Sequence, residues 1–269
     1  MIPSSFRYHL AGSLDDATQV LVDAGDGARV ISGGQSLIPF MRLRFANPTV
    51  LVDIRRVPDL ATIRVDGGTL RVGALARHRD VETSAVVREH LPLLAEVASH
   101  IGDGQVRNRG TIGGAVAHAD PAGEYPALAL ALGAQIVTTR RTIAAEDFFL
   151  GRYTTPLEHG EIVTEIVLPT ARGPHAYLKF GKDLFDWAVV GVMTQALDDG
   201  WRIGLVSAGE TPVRALAAER ALAAGASPAL AAAAAVEGLD PTPTTRASAD
   251  YKRHLVRVLV ERALTRTGD

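Results

Sequence analysis

Residues 30–44 read VISGGQSLIPFMRLR, and this stretch decides how the rest of the chain is read. A β-type run of Arg29, Val30 and Ile31 enters Gly33 and Gly34. Gln35 and Ser36 follow, then an apolar run from Leu37 to Met41. Adjacent glycines carry no Cβ, so the backbone can press against a ligand with its N–H groups turned outward. Such a nest suits phosphate oxygens, and the Ser36 hydroxyl can add a donor. Each charge-assisted hydrogen bond made there is worth roughly 1.5–3 kcal/mol. A Gly-Gly pair after a strand is also a common plain turn, so this stretch alone leaves both readings open.

A second stretch narrows them. Residues 105–125, QVRNRGTIGGAVAHADPAGEY, hold another pair, Gly113 and Gly114, with Thr111 before it and Asp120 and Glu124 after it. Two glycine loops, each with a hydroxyl, can grip an extended pyrophosphate from two sides. A downstream carboxylate can bind the hydroxyls of a sugar or ribitol chain. Two unrelated turns are the competing account.

The 269 residues suffice for one large or two modest domains, and 47% hydrophobic content supports a true core. A net charge of −2 gives no basic footprint for nucleic acid. The chain has no cysteine, which excludes a disulfide framework, a thiolate zinc site and a cysteine-ligated iron–sulfur cluster on it. MIPSSFRYHL lacks the pattern of a signal peptide, and no apolar run reaches the ~18 residues of a membrane span. A cytoplasmic protein is the expectation. The eight histidines show no HExxH-like spacing; His118 and Asp120, two residues apart on one loop, make a poor metal site. There is no GxSxG elbow and no P-loop, and Gly102-x-Gly104 lacks the Rossmann context. Arg107 and Arg109 suit either an anion or plain solvent.

Along the chain, Ser13 can cap a helix over 14–24. Strands at 29–31 and 49–53 complete a small βαβ-like unit. A hairpin over 61–73 turns at Asp66-Gly67-Gly68. Short helices are expected at 78–84, 91–100 and 126–132, and strands at 135–138 and 161–168. After Gly173 the pattern gives strands at 175–182, 188–196 and 201–208, then helices at 212–224, 228–237 and 249–265. Sheet followed by helices is an α+β arrangement.

GGQSLIP with MRLR, LVDIRRVPDL, RNRGTIGGAVAHADPAGEYPA, GEIVTEIVLP, YLKFGKDLFDWA and ETPVRA, in this order, resemble the FAD-binding medium subunit of molybdenum hydroxylases. The resemblance is to the carbon monoxide dehydrogenase type within the xanthine dehydrogenase family, and it covers nearly the whole chain. It implies an α+β fold: a PCMH-type FAD-binding domain over 1–173, with subdomains at about 1–55 and 56–173, and a C-terminal domain over 174–269. That last domain should hold a three-stranded antiparallel sheet and a helical bundle. Ser32, Gly33, Gly34, Gln35, Ser36 and Leu37 would wrap the FAD pyrophosphate, with Thr111, Gly113 and Gly114 as the second phosphate loop. Many members of that family have His where this chain has Gln35; glutamine cannot form the histidyl–flavin bond of some more distant flavoproteins, so noncovalent FAD is the expectation. Glu124, with Asp120 as competitor, falls near the ribitol, and Ile101 and Gly102 near the flavin. Val163 and Lys179 match the adenine end. Trp187 matches an aromatic residue near the isoalloxazine, where a packed tryptophan is the alternative. A large partner would hold the molybdenum cofactor and a small one two [2Fe–2S] clusters, in a dimer of heterotrimers, with a quinone, NAD or dioxygen as external acceptor. A stand-alone flavin oxidase or dehydrogenase, or a non-catalytic nucleotide-binding assembly module, is the alternative function.

Overall fold

The computed structural model describes residues 2–183 and 186–267. Arg7–Leu10 (β1), Ala28–Ile31 (β2) and Val50–Asp53 (β3) form a parallel sheet in the order β1-β3-β2. Parallel strands need a crossover, and the helix Leu14–Ala24 supplies it between β1 and β2. Ser13 caps that helix, its side chain accepting from the Asp16 N–H at 3.1 Å. Ala17 and Leu21 pack with Ala28, Val50 and Val52 in a first small core. The sequence pattern does not reveal β1. Four residues are too few for alternation to register, and it is the pairing of Arg7–Leu10 with β3 that holds them extended.

Ile63–Asp66 (β4) and Thr69–Gly73 (β5) make the expected hairpin. Gly67 and Gly68 have φ of 55° and 79°, the two positive values that a two-residue turn of this hand requires. With Gln135–Thr138 (β6), Thr142–Ala144 (β7) and Val163–Pro169 (β8) they form an antiparallel sheet ordered β4-β5-β8-β6-β7. Helices Pro92–Ser99, Ile112–His118 and Glu124–Ala131 join it in the largest core, with Leu70, Leu94, Val116, Leu128 and Ile136. The second glycine pair therefore lies inside a helix. The low helix propensity of glycine hides this in the sequence.

His175–Phe180 (β9), Val190–Leu197 (β10), Gly200–Val206 (β11) and Val213–Arg214 (β12) form an antiparallel sheet ordered β12-β11-β10-β9. The three expected strands are there. β12 is a two-residue addition where the pattern suggests helix from Pro212; the helix starts at Leu216. Both faces are covered. Val190, Val192, Ile203 and Leu205 pack against helices Leu216–Ala223, Pro228–Ala234 and Ala249–Arg266, while Met193 and Val206 join the largest core. A Cβ at Gly204 would sit 3.0 Å from the Ala127 carbonyl oxygen, so its absence lets helix Glu124–Ala131 lie directly on β11. This contact ties the segment after the second glycine pair to the C-terminal sheet. Phe185 of the FDWA motif lies outside the described residues. Among the described residues no helix is long and apolar enough to cross a membrane.

Candidate cofactor-binding site

The two glycine stretches meet. Ser32 Oγ and Thr111 Oγ1 lie 3.0 Å apart, although 79 positions separate them. Gly33 packs flat on the peptide between Arg109 and Gly110: a Cβ there would fall 2.3 Å from the Arg109 carbonyl oxygen. A Cβ on Gly114 would lie 2.8 Å from both hydroxyl oxygens of the pair. Gly113 serves the fold instead. Its Cβ would sit 2.4 Å from that of Ala74, so helix Ile112–His118 can lie against the chain leaving β5.

The loops differ in their backbone hydrogen bonding. In the second, the Ile112 and Gly113 N–H groups donate to the Ala76 and Ala74 carbonyls, each at 3.0 Å. The Gly114 N–H donates to Thr111 Oγ1 at 3.2 Å, and the Ala115 N–H to the Thr111 carbonyl at 3.0 Å. In the first, no acceptor is found among the described residues for the amides of Gly33, Gly34, Gln35, Ser36 and Leu37. Gly34, at φ 72°, turns the chain through the left-handed region and starts this run. Consecutive unpaired amides beside a cavity are what binds an anion. The first loop thus offers donors, and the second is a stapled support. The hydroxyl that joins them belongs to Ser32; that of Ser36 makes no capping bond at helix Leu37–Arg42. Gln35 Nε2 donates to the Gly33 carbonyl at 3.2 Å.

Ser32, Gly33, Gly34, Gln35, Ser36, Leu37, Thr111, Gly113, Gly114 and Val163 all border one cavity of about 680 Å³. A second cavity, about 300 Å³, adjoins it across Phe40 and Tyr153, which border both; Asp120 and Trp187 border the second. Ile101, Gly102, Glu124 and Lys179 gather elsewhere. Lys179 Nζ donates to Glu124 Oε1 at 2.8 Å and to the His100 carbonyl at 2.9 Å, and both side chains are 6% exposed. The resemblance assigns Val163 and Lys179 to one end of the cofactor, and the structure separates them. Val163, on β8, faces the large cavity, whereas Lys179 rides on β9 of a different sheet and closes on Glu124. Of the two candidate acids, Asp120 borders a cavity and Glu124 is already paired. Arg107 is an internal strut, donating to the Gly102 carbonyl at 2.7 Å and pairing with Glu82 at 3.1 Å; Arg109 contributes its backbone beneath Gly33.

Sequence reasoning missed the aromatic wall between the cavities. The His118 ring stacks on Tyr153 at 4.9 Å, and Phe40 meets the two edge-on at 5.1 and 5.4 Å. Burial lowers the His118 pKa against the opposing pull of Asp120. Tyr153 and Ala119 take positive φ, 57° and 51°, and the Tyr153 N–H donates to the Ala119 carbonyl at 3.1 Å. Only Phe40, one helical turn after Ser36, had a readable position. His78 was also missed. It borders the large cavity, is 4% exposed, leaves Nδ1 without a partner among the described residues, and is driven down to a pKa of about 4 by burial and by Arg107.

A parallel lobe and an antiparallel lobe joined at two glycine corners, with an α+β domain against them, form the architecture of a flavoprotein. The chain belongs to the FAD-binding domain family of molybdopterin dehydrogenases, whose model matches residues 4–171; residues 187–267 match the CO dehydrogenase flavoprotein C-terminal domain. It is 40% identical to the carbon monoxide dehydrogenase medium chain of Hydrogenophaga pseudoflava, over 98% of this chain and 97% of that one. It is 39% identical to subunit alpha of the 6-hydroxypseudooxynicotine dehydrogenase complex of Paenarthrobacter nicotinovorans, over 99% and 95%. Among solved structures, carbon monoxide dehydrogenase from Hydrogenophaga pseudoflava, in a form lacking the Mo-pyranopterin moiety, matches with a TM-score of 0.94 at 42% identity, over 100% and 99% of the two chains. Quinoline 2-oxidoreductase from Pseudomonas putida 86 matches at 0.93 and 32%, over 99% and 98%. The chain is thus an oxidoreductase flavoprotein of the medium-subunit type, with FAD as its cofactor.

Proposed function

We propose that this chain receives electrons from [2Fe–2S] clusters on a small partner subunit and passes them through noncovalent FAD to an external acceptor. A large partner would hold the molybdenum cofactor and oxidise the substrate. The unpaired amides of Gly33–Leu37, facing the stapled Thr111–Gly114 turn, carry this reading, because a pyrophosphate needs such donors and, among the described residues, no side chain accepts from them. The Ser32–Thr111 hydroxyl pair would hold the two loops at the spacing of one diphosphate bridge. The adenosine would follow the large cavity towards Val163. The ring would take the second cavity, with Trp187 limiting solvent access and Asp120 near the ribitol. Bound there, the flavin supplies the redox chemistry, and the protein sets its position, access and potential.

The lack of cysteine agrees with clusters on another chain. Relatives of similar identity are named for carbon monoxide and for 6-hydroxypseudooxynicotine, which suits a chain that never touches the substrate. We place the complex in the cytoplasm as a dimer of heterotrimers and read 1–173 and 174–269 as its two domains. The test is to purify the full chain alone and together with a candidate large and a candidate small subunit. Yellow protein with about one FAD per chain, reduced by the complex's substrate only when both partners are present, is the expected result. A colourless chain would sink the FAD site, and reduction without partners would favour the stand-alone enzyme.

A further inference from the structure

Lys252, in the first turn of helix Ala249–Arg266, is 2% exposed and forms no ion pair among the described residues. Its ammonium donates to the Ser207 carbonyl at 3.0 Å and to Ser207 Oγ at 3.1 Å. Ser207 is held at φ 60°, and its N–H donates to the Pro121 carbonyl at 2.8 Å. A strap thus runs from the C-terminal helix to the turn after the second glycine pair. An ammonium has three donors. Two are used on Ser207, which leaves one for the second cavity that Lys252 borders. Burying a cation without a carboxylate is costly, and a structure keeps such a group where a ligand's negative charge offsets the cost. The other charges around that cavity do not neutralise it. Arg152 is a second cation, so among the described lining residues two cations face one carboxylate, Asp120, which accepts from the Ala122 N–H at 2.9 Å and from the Tyr153 hydroxyl at 3.4 Å. Burial, and after it the Arg152 charge, lower the Lys252 pKa, and the excess of one cation over the carboxylates lining the cavity leaves it electropositive.

We propose that Lys252 contacts the cofactor ring and stabilises the negative charge the ring acquires on reduction, which makes the bound cofactor easier to reduce. The inference rests on the placement of the ring in the second cavity. In a low-dielectric pocket a nearby unit charge acts strongly, whereas the exposed Arg152 is screened by solvent and salt.

The experiment uses the full-length holoprotein in whatever complex it purifies with. It measures FAD content, visible spectrum and flavin midpoint potential for Lys252→Met, Lys252→Arg, Arg152→Gln and Trp187→Ala. Lys252→Met should weaken the reduction equilibrium about tenfold, a shift of roughly 30 mV to more negative potential for a two-electron couple. Lys252→Arg should recover most of it, which a purely structural strap would not do. Arg152→Gln should shift the potential less, and the shift should fade with added salt. Trp187→Ala should alter the flavin spectrum. An unmoved potential in flavin-replete Lys252→Met, with an altered Trp187→Ala spectrum, refutes the role of Lys252 and leaves the ring placement standing. Unchanged spectra and potentials in both variants put the ring elsewhere and overturn the placement and the inference together. Should Lys252→Met fail to hold flavin, Arg152→Gln decides at low salt, where an unmoved potential is the refuting result.

Discussion

Gly114→Ala separates the site from the fold. Alanine in place of glycine inside a helix favours folding by roughly 0.8–1.0 kcal/mol. Against this, the new methyl lands 2.8 Å from both Ser32 Oγ and Thr111 Oγ1. Both hydroxyls can rotate away, at the cost of one neutral hydrogen bond, about 1 kcal/mol. Part of the Thr111 cap goes too, worth about 1 kcal/mol in full. The net change in stability is then within about 1 kcal/mol, or roughly 2–4 °C in melting temperature for a chain of this size. FAD binding takes a larger loss. With the hydroxyl pair displaced and a methyl in the phosphate space, one charge-assisted bond worth about 1.5–3 kcal/mol is forfeited. That is roughly a 10- to 150-fold weaker Kd. The assay is titration of apoprotein with FAD by flavin fluorescence, beside a thermal melt. The control is Gly113→Ala, whose methyl would meet Ala74 backbone and Cβ, atoms that cannot rotate away; it should destabilise the fold by about 1–3 kcal/mol. An unchanged Kd in Gly114→Ala, or equal melting losses in both variants, refutes the division between the two glycines.

Gly34→Val should also lose FAD, for a backbone reason. A β-branched residue at φ 72° carries about 1–2 kcal/mol of left-handed strain, and its Cβ would lie 2.9 Å from Ile38 Cδ1, so the amide run unwinds. Retained FAD with an unshifted melt would show that the turn tolerates side chains. His78 titrates near 4 in the fold against 6.5 in the open chain, so the unfolded state takes the proton first. Its contribution is whole above pH 6.5 and is lost as pH falls towards 4, by roughly 3 kcal/mol in all. His78→Gln should flatten that limb of the denaturant midpoint against pH; an identical acid limb in the variant would discard the assignment. Lys179→Met strands Glu124 among buried groups and should cost about 3–5 kcal/mol, with most of it returned by adding Glu124→Gln. A urea-unfolding cycle showing simple additivity would mean that the pair is not coupled.

Both glycine motifs, the Ser13-capped helix, the Gly67-Gly68 hairpin and the run of strands followed by helices after Gly173 could be read directly, because each depends on residues within one turn of each other. That Gly34 is the one of the pair held in the left-handed region, at φ 72°, came only from the structure. What local pattern could not supply was the partner of each group. Thr111 was visible as a hydroxyl, but not that it meets Ser32 rather than Ser36. Lys179 was visible as a strand lysine, but not that it neutralises Glu124. Tyr153, His118 and Lys252 carry no local mark, because what places them at a cavity is burial against elements far away in the chain. By itself, then, the sequence determined most of the elements, though not β1, β12 or the helix around the second glycine pair, together with the two phosphate-type corners and the absence of any cysteine cluster ligand. Tertiary structure alone decided which corner keeps its amides free, which acid is already paired, and which cation is left facing a cavity. The physical reason is that hydrogen-bond satisfaction and desolvation are sums over neighbours in space, and neighbours along the chain are only some of them.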